Sequence, residues 1–515
     1  MGSPRLKYTT WTYKAKVEFS RNNKAYWEEG HLLRWDVKSN KWFRHGEQWV
    51  KLVTNYSAEK HLGPRVLKLE SEFSISNSPS MRLIYGVTRN PITKEYAVIE
   101  NLMDQCPSCG QKWMSPRWCR GCNSELFKSE RSNWTSGNSE IDDFIYEAQT
   151  TAEFPEQVLE WLPETQFTEF KLIGKGGFGR VFKAYWEKGR ICKWDFITNK
   201  WERSDPMWVA LKSVEKGGEC ISEFLEEVKA MYQCLKINLG SLDCYGITRN
   251  PATQDYLIVM RFVEYGDLRA YLSSTFATSS WKDRLDRLWS LSIDLRSLHR
   301  SGLVHRDLHG GNVLFGNNRR SFIADLGLTC KDGQTETGDI KGVLPYVAPE
   351  ILHRKPHTKS SDIYSFSIIM WEFTSSRPPF FEMMYDYVLA HKICGGLRPP
   401  IIKGTPECYA QLMKQCWDAD PTKRPTAQIL TEALEKWAII LSKEKSNDDD
   451  DDEVNIRNQF KLAELERQKN PFPVVPFSEI NTRPLTSRLL PTINLHTITE
   501  GYQTIQYDLE ISDDL

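Results

Sequence analysis

The spacing of hydrophobic and polar residues changes near residue 281. Before that point, segments such as 192–212 alternate large apolar with polar residues and contain Asn and Pro turn signals, a pattern typical of β-hairpins. After it, segments such as 284–299 and 362–374 carry apolar residues three and four positions apart, which predicts amphipathic helices. The sequence therefore predicts an α+β protein in which a β-rich lobe is followed by a mainly helical lobe.

The β-rich pattern is present twice in the chain. Residues 26–53 align with residues 185–212 at a constant offset of 159, and residues 85–96 align with residues 245–256 at an offset of 160. Two copies are too few for a solenoid, so we interpret residues 1–100 as one degenerate copy of the later β-rich lobe. The matching positions of the longer block are Trp27/Trp186, Trp35/Trp194, Asp36/Asp195, Trp42/Trp201 and Trp49/Trp208.

Composition predicts the remaining boundaries. A cysteine-rich segment at 101–135 and a helical linker at 136–166 precede the main globular part, which is expected at 167–437. After it, residues 446–515 are expected to form an acidic, largely disordered tail. Its run of consecutive aspartates repels itself and stays solvated, and residues 470–515 have several prolines and no sustained periodicity.

The overall charge gives no indication of nucleic-acid binding. The formal net charge is −1, with 67 basic and 68 acidic residues, so no bulk attraction to nucleic acid or anionic membrane is expected. No apolar run approaches the roughly 18 residues of a membrane helix, and the first residues lack the apolar core of a signal peptide. We expect an intracellular protein, most simply in the cytoplasm, with the nucleus as the alternative. It does not indicate an oligomeric state.

Four of the twelve cysteines form a C-x₂-C-x₉-C-x₂-C pattern, at Cys106, Cys109, Cys119 and Cys122. Each pair suits a tight turn that aims two thiolates at one ion, and four thiolates complete a tetrahedral Zn²⁺ site. A reducing compartment disfavours disulfides as the alternative. The pattern predicts a structural zinc knuckle. A zinc ribbon that binds nucleic acid is the weaker reading, since only Lys112, Arg117 and Arg120 are basic nearby.

A glycine-rich turn and a lysine suggest phosphate binding. Residues 174–181 read GKGGFGRV and fit G-x-G-x-x-G-x-V, whose missing side chains let backbone N–H groups approach phosphate. Lys212 ends Val-Ala-Leu-Lys 33 residues after the last glycine, and Glu227, on a predicted helix, follows 15 residues later and could pair with it. The candidate ATP-binding positions of this part are Gly174, Gly176, Gly177, Phe178, Gly179, Val181, Ala210 and Lys212.

The segment 305–312, HRDLHGGN, resembles the catalytic loop of the eukaryotic protein kinase family. By that resemblance Asp307 orients the substrate hydroxyl and accepts its proton, while Asn312 and Asp325 bind Mg²⁺. Asp325 begins Asp-Leu-Gly, a D-F-G motif with Leu for Phe, and residues 348–350 match A-P-E. The resemblance covers about 167–437 and implies a two-lobed kinase fold that uses ATP and acts on protein substrates and signalling partners.

The same resemblance extends to the nucleotide pocket and to two supporting residues. Met260 falls at the gatekeeper position behind the adenine, and the backbone at Arg261 and Val263 would bond the adenine. A methionine at that position predicts a narrow back pocket. Asp362 would brace the catalytic loop, and Arg424 would pair with Glu350.

Substrate choice is suggested by departures from the family pattern. His309 stands where kinases that modify serine and threonine usually carry Lys, and residues 342–346, GVLPY, lack a usual Thr hydroxyl. With Cys416-Trp417, these features resemble the tyrosine kinase-like group, including families expanded in fungi. We expect Ser/Thr specificity, with dual specificity next. The alternative function is a catalytically silent kinase-fold scaffold that docks signalling partners.

Regulation is suggested by Arg306, because in the family such an arginine is often neutralised by phosphate on the activation segment, which here runs from Asp325 to Glu350. The candidate sites are Thr329, Thr335 and Thr337.

The first copy lacks the kinase chemistry. Val53 stands where the second copy has Lys212, and a sensor or docking module and a mere packing module both remain open for the N-terminal 150 residues. The positions of the four glycines are taken by Ala15, Val17, Glu18 and Ser20.

Overall fold

The structure is a computed structural model of the 515-residue chain. It describes the backbone of seven strands between residues 17 and 101 and then residues 106, 108–111, 113–115, 117–176, 179–195, 198–213, 221–237, 242–317, 319–334, 340–443, 450–469 and 487–490. The predictions that concern Lys112, Gly177, Phe178, Thr335 and Thr337 lie outside these residues. The chain divides into two compact units, residues 1–161 with 188–205 and residues 162–187 with 206–515.

The strands and helices of the described residues follow in chain order. The strands are β1 Val17–Phe19, β2 Lys24–Trp27, β3 Leu32–Asp36, β4 Lys41–Arg44, β5 Gln48–Tyr56, β6 Ile84–Arg89, β7 Tyr96–Asn101, β8 Glu160–Trp161, β9 Phe167–Gly176, β10 Gly179–Trp186, β11 Ile191–Asp195, β12 Lys200–Arg203, β13 Met207–Ser213, β14 Cys244–Arg249, β15 Tyr256–Arg261, β16 Leu303–Val304, β17 Val313–Phe315, β18 Ser321–Ile323, β19 Cys330–Lys331, β20 Lys341–Gly342 and β21 Arg488–Leu489. The helices are α1 Arg120–Glu130, α2 Ser139–Thr151, α3 Ile221–Ile237, α4 Leu268–Thr275, α5 Trp281–Arg300, α6 Pro349–Leu352, α7 Lys359–Ser375, α8 Tyr387–Cys394, α9 Glu407–Cys416, α10 Ala427–Ser442 and α11 Asp451–Lys469.

Each unit contains an antiparallel sheet of the same strand order. The first sheet runs β1-β2-β5-β7-β6, and the second contains β9-β10-β13-β15-β14. Strands β3 and β4 coincide with β11 and β12 at the offset of 159, and β6 and β7 coincide with β14 and β15 at the offset of 160. Even the irregularity between Ile84 and Gly86 recurs between Cys244 and Gly246. The backbone pairing thus agrees with the repeat seen in the sequence.

In the first unit, α1 and α2 share a small core with the β11–β12 hairpin. Trp201 of the hairpin stacks on Phe127 of α1, with ring centroids 4.5 Å apart, and Ile191 is buried beside them. The fully buried Trp118 donates from its indole N–H to the carbonyl of Ala152, at 3.1 Å. Aromatic stacking with satisfied polar atoms is what a small core needs for stability. The helix expected over residues 141–152 corresponds to α2.

The second unit consists of a β-rich small lobe followed by a helical large lobe, which confirms the predicted α+β class. In the small lobe, Trp186, Leu211 and Val259 lie in one buried cluster of the sheet. In the large lobe nearly every residue of α7 is buried, and α5 packs against α10. A helix that is buried all round forms the centre of a domain rather than its surface.

The prediction of a largely disordered tail over 446–515 is wrong for α11. Ile456, Phe460 and Ala463 lie four and three residues apart on one face of α11, and all three are buried. Phe460 contacts the rings of Trp281 and Trp437, at centroid distances of 5.7 and 5.9 Å. The acidic run does not prevent this helix, because Asp and Glu in the first turn interact favourably with the positive end of the helix dipole.

None of the helices in the described ranges combines the length and the apolar character required to cross a membrane.

Candidate active site

The glycine-rich turn joins β9 to β10 beside the strand that carries Lys212. Gly176 pairs with Gly179 across the turn, and Val181 pairs with both Gly174 and Lys212 in neighbouring strands. Gly179 has a φ of +137°, and a Cβ at this position would lie 1.8 Å from the carbonyl oxygen of Ser213. Only glycine fits there, so the turn is held directly against β13.

Lys212 forms ion pairs with two carboxylates. Its Nζ lies 2.6 Å from Glu227 Oε1 on α3 and 2.8 Å from Asp325 Oδ1. Burial alone would lower the pKa of Lys212, but the two carboxylates outweigh it and the pKa is raised, so the lysine stays charged. The missing side chain of Gly327 lets the Glu227 carboxylate lie close to this turn, because a Cβ at position 327 would lie only 3.2 Å from Glu227 Oε2. The pairing of Lys212 with Glu227 expected from the sequence is present in the structure.

The expected adenine-binding positions lie on β15 and just after it. Met260 pairs with Ala210 of β13 and is buried, as is Val263. The guanidinium of Arg261 donates to Asp243, and the Arg261 N–H donates to the Asp243 carbonyl at 3.0 Å. That N–H is therefore already engaged, and of the backbone groups of Arg261 a ligand can use only the carbonyl.

The catalytic loop is anchored by the buried Asp362 of α7. Its carboxylate accepts the backbone N–H groups of His305 and Arg306, at 2.8 and 3.1 Å, and lies 2.9 Å from His299 Nε2. Burial acts to raise the pKa of Asp362, but the hydrogen bonds and the neighbouring histidines lower it overall. A carboxylate with several donors is a fixed support for the loop, as the sequence led us to expect.

His305 links this loop to the metal-binding motif. Its Nδ1 accepts from the N–H of Asp307 at 3.3 Å, so its Nε2 carries the proton and donates to the carbonyl of Ala324 at 3.0 Å. Ala324 immediately precedes Asp325. Both Arg306 and Asp325 have positive φ, 71° and 61°, a conformation that is uncommon for residues other than glycine and concentrates at functional sites.

Asp307 and Asn312 lie in direct contact. The amide of Asn312 donates to the carbonyl of Asp307 at 2.9 Å and to its Oδ2 at 3.3 Å. His309 Nε2 lies 3.5 Å from the same oxygen, while His309 Nδ1 accepts from the N–H of Gly311 at 3.0 Å. Burial acts to raise the pKa of Asp307, but the imidazole of His309 and a hydroxyl from Ser487 outweigh it and the pKa is lowered. Asp307 is therefore held as a carboxylate.

The end of the activation segment is fixed by a buried ion pair. Arg424 donates two hydrogen bonds to Glu350, at 2.7 and 2.8 Å. At the other end, Thr329 donates to the carbonyl of Leu326 at 2.9 Å, and Arg306 donates to the carbonyl of Leu328 at 3.2 Å. The three candidate phosphosites thus stay a prediction, with Thr329 in a local turn and the other two outside the described residues.

One contact of the site involves a residue that the sequence motifs do not indicate. Ser487, in the tail, donates a hydrogen bond from its hydroxyl to Asp307 Oδ2. The surrounding segment reads PLTSRLL, and the only local signal was an apolar pair in a proline-rich stretch. The contact joins residues 180 positions apart, so tertiary structure alone brings them together.

The four cysteines of the predicted knuckle lie close together in the first unit. Their sulfur atoms all lie within 4.8 Å of one another, with Cys106 and Cys122 3.7 Å apart and Cys109 and Cys119 3.5 Å apart. A tetrahedral ion with metal–sulfur bonds of about 2.3 Å would place sulfurs about 3.8 Å apart. The hydrogen bond with Cys119 lowers the pKa of Cys106 to about 5. The cluster could hold a metal ion.

The second unit therefore brings together a glycine-rich turn, a lysine paired with two carboxylates, a carboxamide and a buried aspartate. These are the groups that phosphoryl transfer from a nucleoside triphosphate requires, in the arrangement of a protein kinase domain. The sequence pattern of the family described as protein tyrosine and serine/threonine kinase matches residues 167–434. The chain belongs to this family.

Among curated proteins, the chain is similar to several kinases. It is 29% identical over 275 residues to a probable serine/threonine-protein kinase of Dictyostelium discoideum, covering 52% of the chain and 19% of that protein. It is 33% identical over 187 residues to the serine/threonine/tyrosine-protein kinase HT1 of Arabidopsis thaliana, covering 35% of the chain and 47% of the relative. Mitogen-activated protein kinase kinase kinase 7 of Mus musculus is 29% identical over 297 residues, covering 56% of the chain and 47% of the relative. The alignments span less than half the length of each of these relatives.

Proposed function

We propose that the chain transfers the γ-phosphoryl group of ATP to serine and threonine hydroxyls of proteins, within intracellular signalling. The observation that carries the proposal is the contact of Lys212 with both Glu227 and Asp325, in a unit that also places Asn312 against Asp307. A silent scaffold is the less favoured function, because such scaffolds are expected to lose the lysine or one of these aspartates.

Each side chain has a role that follows from its geometry. Lys212, kept charged by its carboxylates, binds the α- and β-phosphates, and the backbone of the glycine-rich turn covers them. Asn312 and Asp325 would hold Mg²⁺, which supplies positive charge against the phosphates when bound. Asp307 orients the acceptor hydroxyl and takes its proton, since its lowered pKa keeps it ionised before transfer.

His309 and the names of the relatives both bear on which hydroxyl accepts the phosphoryl group. His309 replaces the usual lysine but still directs an N–H towards Asp307, so it can support the same carboxylate. The Dictyostelium relative is named as a probable serine/threonine-protein kinase, which favours Ser/Thr. Dual specificity is a second candidate, because the plant relative carries tyrosine in its name as well. These features also support membership of the tyrosine kinase-like group.

The acceptor class can be measured directly. The purified full chain is incubated with Mg²⁺ and γ-labelled ATP on a generic protein substrate, and the products are separated by phosphoamino-acid analysis. We expect phosphoserine and phosphothreonine to make up most of the label. Label found mainly on tyrosine would overturn the Ser/Thr assignment, and no label on any residue would favour the scaffold.

We further propose that the cysteine cluster holds one structural Zn²⁺. Two of the sulfur pairs lie 3.5 and 3.7 Å apart, close to the spacing in a tetrahedral thiolate site, and all four sulfurs lie within 4.8 Å of one another. The buried Trp118 and Cys119 place the cluster against the core shared by α1 and β11–β12. In the described part of the chain the cysteines are free thiols, which agrees with an intracellular location. The zinc would then fix the start of α1.

Zinc content tests this site. We expect about one equivalent of zinc per chain by elemental analysis and a lower thermal unfolding temperature after chelation, because metal binding contributes directly to folding free energy. A Cys106→Ser variant is expected to lose the metal, whereas Cys192→Ser, a cysteine outside the cluster, should keep it. Less than half an equivalent in the unmodified chain would contradict the proposal.

For residues 1–100 we propose a degenerate small lobe that folds without binding nucleotide. The strand order and the register irregularity of the second sheet recur in the first, whereas Val53 stands at the position of Lys212. An interaction or regulatory role fits a sheet that keeps its framework and lacks its catalytic residues.

A further inference from the structure

A short segment of the tail forms a β-strand on the activation segment. Strand β21 pairs antiparallel with β20, with Leu489 opposite Lys341 and Arg488 opposite Gly342. The next residue continues the pairing, since the N–H of Leu490 donates to the carbonyl of Ile340 at 2.8 Å. The addition of an extended segment to an exposed strand is one of the standard ways in which proteins bind peptides.

This strand places a serine hydroxyl on the catalytic aspartate. Ser487, which directly precedes β21, donates to Asp307 Oδ2, the oxygen that also accepts from Asn312 at 3.3 Å. In protein kinases this carboxylate accepts the proton of the hydroxyl that is to be phosphorylated. Ser487 therefore occupies the place of a phosphoacceptor.

Within the segment, Arg488 and Leu489 are exposed whereas Leu490 is buried. Leu490 is 8% exposed, and its Cδ1 lies 3.7 Å from the position that a Cβ on Gly342 would take. Leu489, one residue earlier, is 62% exposed. The guanidinium of Arg488 donates to the carbonyl of Tyr385. Backbone pairing, one buried leucine and a hydrogen bond from an arginine side chain are typical of a bound peptide.

We propose that residues 487–490 are a tethered substrate of the kinase and that Ser487 is phosphorylated within its own chain. The inference rests on the proposed kinase activity. In the reaction, Ser487 Oγ forms a bond to the γ-phosphorus of ATP, the bond from that phosphorus to the β,γ-bridging oxygen breaks, and ADP leaves with the electron pair. Asp307 takes the hydroxyl proton.

The tether is long enough for reaction within one chain. Seventeen residues, 470–486, connect α11 to Ser487 and could span up to about 60 Å when extended. A domain of this size has a diameter of roughly 50 Å. A covalent link of this length gives an effective concentration on the order of millimolar, so the segment competes well with dilute protein substrates.

The segment also controls access to the site. While Ser487 lies on Asp307, another protein hydroxyl cannot reach the same oxygen. After transfer, the phosphate adds about −1.5 to −2 charges next to the Asp307 carboxylate, and repulsion favours release of the segment. Phosphorylation of Ser487 therefore opens the site to other substrates.

The test follows phosphate at Ser487 in the full chain after phosphatase treatment. Mg²⁺ and ATP are added at protein concentrations that differ twentyfold, and mass spectrometry quantifies Ser487 phosphate while a generic protein substrate is assayed in parallel. We expect a first-order rate that does not change with protein concentration. A rate that rises with concentration would show transfer between chains and overturn the proposal. Phosphate on the generic substrate without any on Ser487 would overturn it while the kinase function stands, and no phosphate on either would remove both.

Matched leucine variants test the docked geometry. Leu490→Asp should lower the initial rate at Ser487 by about tenfold or more and raise the initial rate on the generic substrate, because a buried leucine is replaced by a charge. Leu489→Asp, at the exposed neighbour, should change both rates less than twofold. Equal effects of the two variants would overturn the docked strand as the cause.

Discussion

Glu350 and Arg424 form a buried bidentate ion pair between the end of the activation segment and the loop before α10. The Arg424 side chain is fully buried and Glu350 nearly so, and Arg424 also donates to the carbonyl of Ser360 at 3.0 Å. Removal of one partner leaves the other charge without compensation in the interior, a situation that typically costs about 3–5 kcal/mol. The pair is therefore expected to matter more for stability than an ion pair at the surface.

Substitution of Arg424 tests this directly. Arg424→Ala is expected to lower the free energy of unfolding of the second unit by about 3–5 kcal/mol, measured by urea denaturation. Lys423→Ala removes the exposed basic neighbour and should change it by less than about 0.5 kcal/mol. Similar losses in the two variants would mean that burial of the pair is not what stabilises the segment.

Glu372 predicts a pH dependence of stability. Burial raises the pKa of Glu372 to about 7 from an ordinary value of 4.5, and the hydroxyl of Tyr346 donates to its Oε1 at 2.5 Å. The folded state binds the proton of Glu372 more tightly than the unfolded state does. Its contribution to the free energy of unfolding is therefore complete below about pH 4.5 and is lost as the pH rises through 7. The loss amounts to about 3 kcal/mol.

The isosteric variant isolates this contribution. Glu372→Gln keeps an acceptor for Tyr346 but cannot ionise. Between pH 4.5 and 8 the free energy of unfolding of the unmodified chain should therefore fall by about 3 kcal/mol more than that of the variant. Glu407→Gln, at an exposed glutamate, should follow the unmodified chain. Identical pH profiles for the unmodified chain and Glu372→Gln would show that Glu372 does not titrate in this range.

Residues of the kinase motifs could be placed from the sequence because each motif fixes residue type and spacing. Lys212, Asp307 and Asn312 were named in this way, and the structure brings Lys212 to Glu227 and Asn312 to Asp307. Ser487 could not be named, since no local pattern encodes a contact across 180 residues. A motif identifies the residues that carry the chemistry, whereas tertiary packing decides which other segment of the chain lies in the site.

At the scale of elements, α11 is an integral part of the large lobe. Phe460 is 2% exposed, packs against Trp281 and Trp437, and lies on the same face as Ile456 and Ala463. The i, i+4, i+7 pattern was present in the sequence, but the adjacent acidic run suggested a solvated tail. A charged run predicts disorder only where no apolar face follows it.

Truncation of Phe460 measures what α11 contributes. Phe460→Ala should reduce the free energy of unfolding by about 3–5 kcal/mol, because it leaves a cavity among aromatic rings. Leu462→Ala, at a residue that is 66% exposed on the opposite side, should cost less than about 0.5 kcal/mol. Circular dichroism during urea unfolding distinguishes the two, and a tolerated Phe460→Ala would mean that α11 does not support the lobe.

The chain as a whole carries the same strand order twice but the catalytic residues once. Strand boundaries at offsets of 159 and 160 were predictable, because tryptophans and turn residues recur in register. The core that joins α1 and α2 to the β11–β12 hairpin was not predictable, since it depends on which apolar faces meet after folding.

The most direct test of the account is the rate of phosphoryl transfer by the full chain with Asp307→Asn. We predict a fall in kcat/KM of about a thousandfold or more with an unchanged unfolding midpoint, because the hydroxyl loses the group that orients it and takes its proton. Asp205→Asn, at an exposed aspartate of the first unit, should remain within twofold of the unmodified chain. Activity retained in Asp307→Asn would contradict the assignment of this site as a protein kinase centre.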